Sequence, residues 1–180
     1  MKRSRRVALI SMGAATLSLA ACEEEKTATH IYELAEQCIQ GGFFSTEQCE
    51  ADFKVAREQH AEVAPKYLSK ADCEADFGNG QCETSPYETS SGGSVFMPLL
   101  AGYLMGSMLS GGGRTAATQP LYRSGDDRSG FRTGQNVRVG DKVGLNQSPR
   151  SAVSSVQPNM RPVPRGGFGS RARAFGSVGS

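Results

Sequence analysis

The sequence predicts a mainly α fold: a small disulfide-stapled helical domain, a short apolar glycine-containing helix and a long disordered C-terminal tail. Three observations predict it. Apolar residues recur at helical spacing between Ile31 and Val63, and a charge-free run follows from Val95 to Leu109. From Gly111 onward Gly, Ser, Pro and Arg dominate, with too few large apolar side chains to offset ordering entropy.

The first element, residues 1–21, reads as an export signal. A basic start (Lys2, Arg3, Arg5, Arg6) leads into an uncharged run from Val7 to Leu19 and small residues before a cysteine. Leu19-Ala20-Ala21-Cys22 resembles the lipobox of bacterial lipoproteins, which makes Cys22 the expected lipidation site and first mature residue. Each buried acyl methylene contributes about 0.8 kcal/mol, so several chains hold a protein on a membrane without a spanning helix. The expected location is the cell envelope, facing the periplasm. Asp after the lipidated cysteine favours inner-membrane retention in enteric bacteria; Glu23 stands there instead and tilts the expectation toward the outer membrane.

Residues 22–85 follow as an acidic helical domain. Removing Cys22 from the five cysteines leaves Cys38, Cys49, Cys73 and Cys82, an even set that suggests two disulfides in an oxidising compartment. The competing zinc reading lacks a Cys-x-x-Cys knuckle. Ile31, Leu34, Ala35, Cys38 and Ile39 place one helix before Gly41-Gly42. Ser45 and Gln48 then form a capping box for a second helix carrying Cys49, Phe53, Ala56, His60 and Val63 inward, which stops before Pro65. The run Ser45 to Phe53 recurs 24 residues later as Ser69 to Phe77, a third, brief helix closed by Gly78-Asn79-Gly80. Of three pairings, Cys38 with Cys49 and Cys73 with Cys82 is preferred, each bridging one turn.

After a linker (86–94), residues 95–110 form the most apolar stretch of the mature chain, with Gly102, Gly106 and Ser110 in small-xxx-small spacing. As a helix, Val95 to Leu109 would reach about 22 Å, short of the roughly 30 Å hydrocarbon core. Packing on the helical domain or self-association into a homo-oligomer is the expectation, with a short membrane span as the alternative. The tail, 111–180, is basic: residues 95–180 hold 11 basic and 3 acidic residues, against 5 and 15 in 22–94. That division predicts different partners for the two parts, with anionic lipid, lipopolysaccharide or a neighbouring copy's acidic domain suiting the tail. Arg165-Gly-Gly-Phe-Gly169 and Arg171-Ala-Arg173 resemble arginine-glycine RNA-binding segments, yet export separates them from nucleic acid.

No phosphate loop, dinucleotide fingerprint or nucleophile elbow is present, and the two histidines, His30 and His60, have no local partners in sequence. The expectation is a non-enzymatic protein with no cofactor and no metal. Ala64-Pro-Lys-Tyr67, Asp72-Cys73 through Gly80-Gln-Cys82, Met97-Pro-Leu-Leu-Ala-Gly-Tyr-Leu-Met-Gly106, Gln119-Pro-Leu121 and Arg165 to Gly169 together resemble the YgiB-like family of enteric and related bacteria. The resemblance implies an envelope accessory protein without an established activity. Some members are encoded beside an ATP-grasp ligase, which implies a ligase or transport system as alternative partner, with 95–109 spanning the inner membrane and Arg114, Arg123 and Arg128 inside.

Overall fold

The computed structural model describes residues 24–106, 108–109, 113–114, 116–159, 161–170 and 172. The lipobox with Cys22, Ser110, Arg171 and Arg173 lie outside them. The elements run β1 (Lys26–Tyr32), α1 (Ala35–Gly41), α2 (Thr46–Val63), α3 (Lys70–Phe77), β2 (Cys82–Glu88), β3 (Ser94–Pro98), β4 (Gly102–Leu104), β5 (Met108–Leu109), β6 (Gly113–Arg114), β7 (Gln119–Ser124), β8 (Asp127–Arg132), β9 (Arg138–Gly140), β10 (Gly144–Pro149) and α4 (Arg150–Val153).

The fold is therefore mostly β, and the mainly α expectation is corrected. Six strands form one antiparallel sheet in the order β10-β1-β4-β7-β8-β9. Its two outer strands approach each other, where Ser148 Oγ donates to Val139 O at 2.6 Å and Asp141 N donates to Asn146 Oδ1 at 3.2 Å, so the sheet nearly closes on itself. The interior holds Ile31, Leu104, Leu121, Phe131, Val139 and Val153. A nearly closed sheet removes the exposed edges that invite further strand pairing.

Two expected elements are replaced outright. The apolar stretch 95–110 supplies strands β3, β4 and β5 rather than one helix, so helical small-xxx-small spacing has no meaning there. Gly102 instead lets two strands approach: a Cβ would sit 2.8 Å from Tyr32 O and 3.0 Å from Phe131 Cε1. Gly106 serves the same purpose, since its Cβ would fall 2.6 Å from Thr118 Oγ1, the atom that accepts from Gly106 N. No helix of the described residues is long and apolar enough to cross a membrane. The expected disordered tail supplies β6 to β10 and α4, five of the ten strands among the described residues.

The helical layer follows the capping signals more closely. Ser45 Oγ accepts from Gln48 N at 3.2 Å and Ser69 Oγ from Asp72 N at 3.1 Å, starting α2 and α3 at the predicted places. The predicted first helix is shorter than expected: Ile31 belongs to β1 and Leu34 is half exposed at the helix entry. Disulfides join Cys38 to Cys49 and Cys73 to Cys82. The first fixes α1 to α2 beneath Tyr32, Tyr103 and Met105; the second fixes α3 to β2 beside Tyr67, Phe77 and Met97.

Candidate functional site

A recess of about 620 Å3 lies between the end of α2, the β2–β3 hairpin and the segment 158–162. Its walls are Tyr87, Val95, Pro158 and Pro162, with Glu62 and Glu88 at the rim. Lys66 forms part of the lining although only 8% exposed. α2 stops at Val63 because Pro65 cannot supply a backbone donor, and the chain turns so that Lys66 reaches back over the helix end. Its Nζ donates to Glu62 O at 3.0 Å, Ala64 O at 3.4 Å and Asn159 O at 2.7 Å, and lies 5.4 Å from the centre of the Tyr87 ring. Burial lowers the Lys66 pKa, opposed by the Glu62 charge. All three ammonium protons are engaged by backbone carbonyls, two at the end of α2 and one at Asn159, which makes this lysine a strut.

Behind the recess stands a row of three polar side chains. His60 Nε2 lies 3.1 Å from Glu83 Oε1 and Nδ1 lies 3.1 Å from the Tyr122 hydroxyl. A carboxylate accepts only, so the neutral ring carries its proton on Nε2 and accepts from Tyr122 at Nδ1. Burial lowers the His60 pKa, partly countered by Glu83, and burial raises that of Tyr122. Carboxylate, imidazole and hydroxyl in a row is the order of a nucleophilic triad, yet the Tyr122 side chain is 0% exposed and no substrate atom can reach it. Sequence reading placed His60 on the inner face but missed both partners, because Glu83 and Tyr122 lie 23 and 62 residues away in the chain.

A second network holds the C-terminal segment. Asp76, 7% exposed, accepts from Tyr67 OH at 2.9 Å, Gly166 N at 2.8 Å and Phe168 N at 3.2 Å. Asn136 pairs with Gly169 in both directions, at 2.9 and 3.0 Å. Phe168 thereby enters the cluster of Phe77, Tyr67 and Tyr122. The Arg165 to Gly169 motif, read as resembling an RNA-binding segment, leaves Arg165 exposed and anchors the segment to the core through the buried Phe168 and Gly169.

Four arginines of the basic half pair with carboxylates of the same chain. Arg123 pairs with Glu33 at 2.8 Å and lies 4.1 Å over the Phe131 ring, and Arg150 pairs with Glu25 at 2.6 Å. Asp127 lies 2.8 Å from Arg138 and 3.6 Å from Arg132. Burial opposes ionisation of Asp127, but Ser129, Arg138, Gly130 and Arg132 outweigh it and hold the carboxyl below its usual range. Among the described residues no group of three or more His, Cys, Asp or Glu side chains could hold a metal ion. The four disulfide cysteines, Gly102 and Gly106 all sit in packed positions and do not converge on the recess.

Residues 26–179 match the family described as a protein of unknown function, DUF1190. A UPF0441 protein of Erwinia tasmaniensis is 36% identical over 170 residues, covering 86% of this chain and 76% of the relative. Its counterparts in Serratia proteamaculans and Sodalis glossinidius are 33% and 34% identical, each covering 93% of this chain and 82% of the relative. No solved structure matches. With a family match from the first residue of β1 to residue 179 and relatives of this identity in enteric bacteria, the chain belongs to the YgiB-like family of bacterial proteins, DUF1190 or UPF0441, whose function is unknown.

Proposed function

We propose that this chain is a non-enzymatic lipoprotein of the cell envelope, exported under residues 1–21, lipidated at Cys22 and acting as an interaction or scaffold protein on the periplasmic side, with the outer membrane the favoured location. One observation carries the reading: four of the five cysteines are joined in two disulfides, and the fifth is the cysteine of the lipobox-like Leu19 to Cys22. Disulfides of this kind persist in oxidising compartments. The two side chains that most resemble catalytic groups support the non-enzymatic part, since every Lys66 proton is donated to a carbonyl and the Tyr122 hydroxyl is enclosed.

The test is metabolic labelling of the full-length chain with a clickable palmitate analogue in an enteric bacterium, with Cys22→Ala alongside. The wild-type chain takes up label and partitions with membranes; Cys22→Ala does neither. A wild-type chain without label, or equal label in both, sinks the reading. Proteolysis of a C-terminal tag in intact spheroplasts would place the folded part in the periplasm, and protection of that tag until lysis would reject it.

A further inference from the structure

The outer face of β1 is covered by the helices along only half its length. Tyr32 is buried under α1 and α2, and His30 packs tilted against Phe43 and edge-on against Phe44 at the α1–α2 turn, with ring centres 5.0 Å from each. Beyond that turn the helical layer ends. Directly opposite His30 on the neighbouring strand is Leu145, and directly opposite partners share a face. Phe43 is 72% exposed and Leu145 51%, so His30 bridges two of the largest exposed apolar side chains. Leu145 also lines a shallow recess with Lys26, Arg138 and Lys142, whose one carboxylate is Asp141. Nearby Glu24 and Glu25 are engaged by Ser151 and Arg150.

The covalent chain limits how far this face can stand from an anchor at residue 22. Four residue-to-residue steps lead from Cys22 to Lys26, the first residue of β1, and fully extended they span at most about 14 Å. A lipid on Cys22 thus keeps the bare end of β1 within the headgroup region or just above it. An aromatic and an aliphatic side chain beside lysines is the composition that seats a protein in an anionic interface.

We infer that the face formed by Phe43, His30 and Leu145 with Lys26 and Lys142 is the membrane-contacting surface of the protein, seated on anionic phospholipid headgroups so that the lipid anchor and the folded domain engage the same bilayer. The inference rests on the lipid anchor proposed above. It fixes the orientation: the β1–β10 face points to the bilayer, and the recess between the end of α2 and the β2–β3 hairpin points away, because α2 is 18 residues or about 27 Å long and Phe43 precedes its start.

The chain contains no tryptophan, so a single introduced indole reports its own surroundings. The mature chain, residues 22–180 with both disulfides formed, offers Cys22 for coupling to a maleimide phospholipid in vesicles of phosphatidylethanolamine and phosphatidylglycerol. Phe43→Trp and, independently, Leu145→Trp are read by fluorescence quenching from lipids brominated in their acyl chains. Both should be quenched at least about twofold, while Leu68→Trp, at the far end of α2, is not. Replacing phosphatidylglycerol by phosphatidylcholine, or combining Lys26→Glu with Lys142→Glu, should remove about half of the quenching. Equal quenching at 43 and 68, or none at 43 and 145, overturns the orientation; quenching indifferent to headgroup charge overturns the anionic assignment. A blue shift without bromine quenching means that a second copy covers the face and also overturns it. Coupling in vitro bypasses export, so quenching without palmitate labelling in cells rejects only the anchor, and labelling without quenching rejects only the face.

Discussion

Replacing Asp76 by Ala tests whether the C-terminal segment belongs to the folded core. The carboxylate is nearly enclosed and accepts three hydrogen bonds, from Tyr67 OH and from the backbone N–H groups of Gly166 and Phe168. Alanine leaves three buried or half-buried donors without an acceptor, each costing about 1 to 3 kcal/mol, although local relaxation keeps the total below the sum. The expected loss is about 3 to 5 kcal/mol. For a domain of this size that lowers the melting midpoint by roughly 10 °C, read by circular dichroism of the mature chain. Trypsin should also cleave after Arg165 faster in the variant, since the segment on either side of Gly166 loses its tether. Asp76→Asn retains one acceptor oxygen and should fall between wild type and Ala. Phe168→Ala should cost about 3 to 5 kcal/mol and add less than fully to Asp76→Ala, because both release the same segment. A loss under about 1 kcal/mol, with Arg165 cleavage unchanged, would refute the reasoning.

Two further outcomes follow from particular side chains. Burial holds the His60 pKa below its ordinary value of roughly 6.5, so the unfolded chain binds the proton more readily and stability is complete above that pH and declines as the pH falls through and below it. Chemical denaturation from pH 7.5 to 5.0 should show that decline, and His60→Gln should flatten it; an equal slope in the variant would assign the effect elsewhere, His30, also lowered by burial, being the next candidate. Gly102→Ala should destabilise the fold by about 1 to 3 kcal/mol through its collision with Tyr32 O, a backbone atom that cannot swing away. A melting temperature within 1 °C of wild type would show that β4 can shift, and the close approach would carry no weight.

The parts of the fold that were legible in sequence are those written in local chemistry. Ser45 and Ser69 cap helices through an atom three residues away, and Gly78, at φ 101°, closes α3 where no other residue sits comfortably. The sheet was hidden for a physical reason. A half-buried strand alternates apolar and polar residues, but β7 runs between the sheet interior and the helical layer and is buried on both sides, so Gln119-Pro-Leu-Tyr shows no alternation. Two of the sheet's buried polar side chains find distant partners: Gln119 Nε2 donates to Ala152 O at 3.1 Å, and Arg132 of β8, nearly enclosed, donates to Ser170 Oγ at 3.2 Å. A composition poor in large apolar residues reads as disorder only when such polar groups lack partners, and here long-range bonds supply them. The division of charge is bridged inside the molecule, since Glu33 with Arg123 and Glu25 with Arg150 join the two halves.

The stretches that carry the resemblance to the YgiB-like family meet in the core of the fold. Tyr67, Cys73, Cys82, Met97 and Phe168 come from four of those five stretches and meet in a single buried cluster, and Asp76 ties two of them together through Tyr67 and the backbone at Gly166 and Phe168. The fifth, Gln119-Pro-Leu121, leads β7 into the sheet interior beside Leu104, from the Met97 to Gly106 stretch. Removing a large side chain from these clusters leaves a cavity or an unpaired buried donor, a penalty of about 2 to 5 kcal/mol that does not depend on what the protein binds. None of them contributes to the exposed face of Phe43, His30 and Leu145. A surface that works by contact with lipid asks only for apolar bulk and positive charge near the anchor, which many residues supply, so it leaves no motif in the sequence and emerges only when β1 and β10 bring residues 30 and 145 side by side.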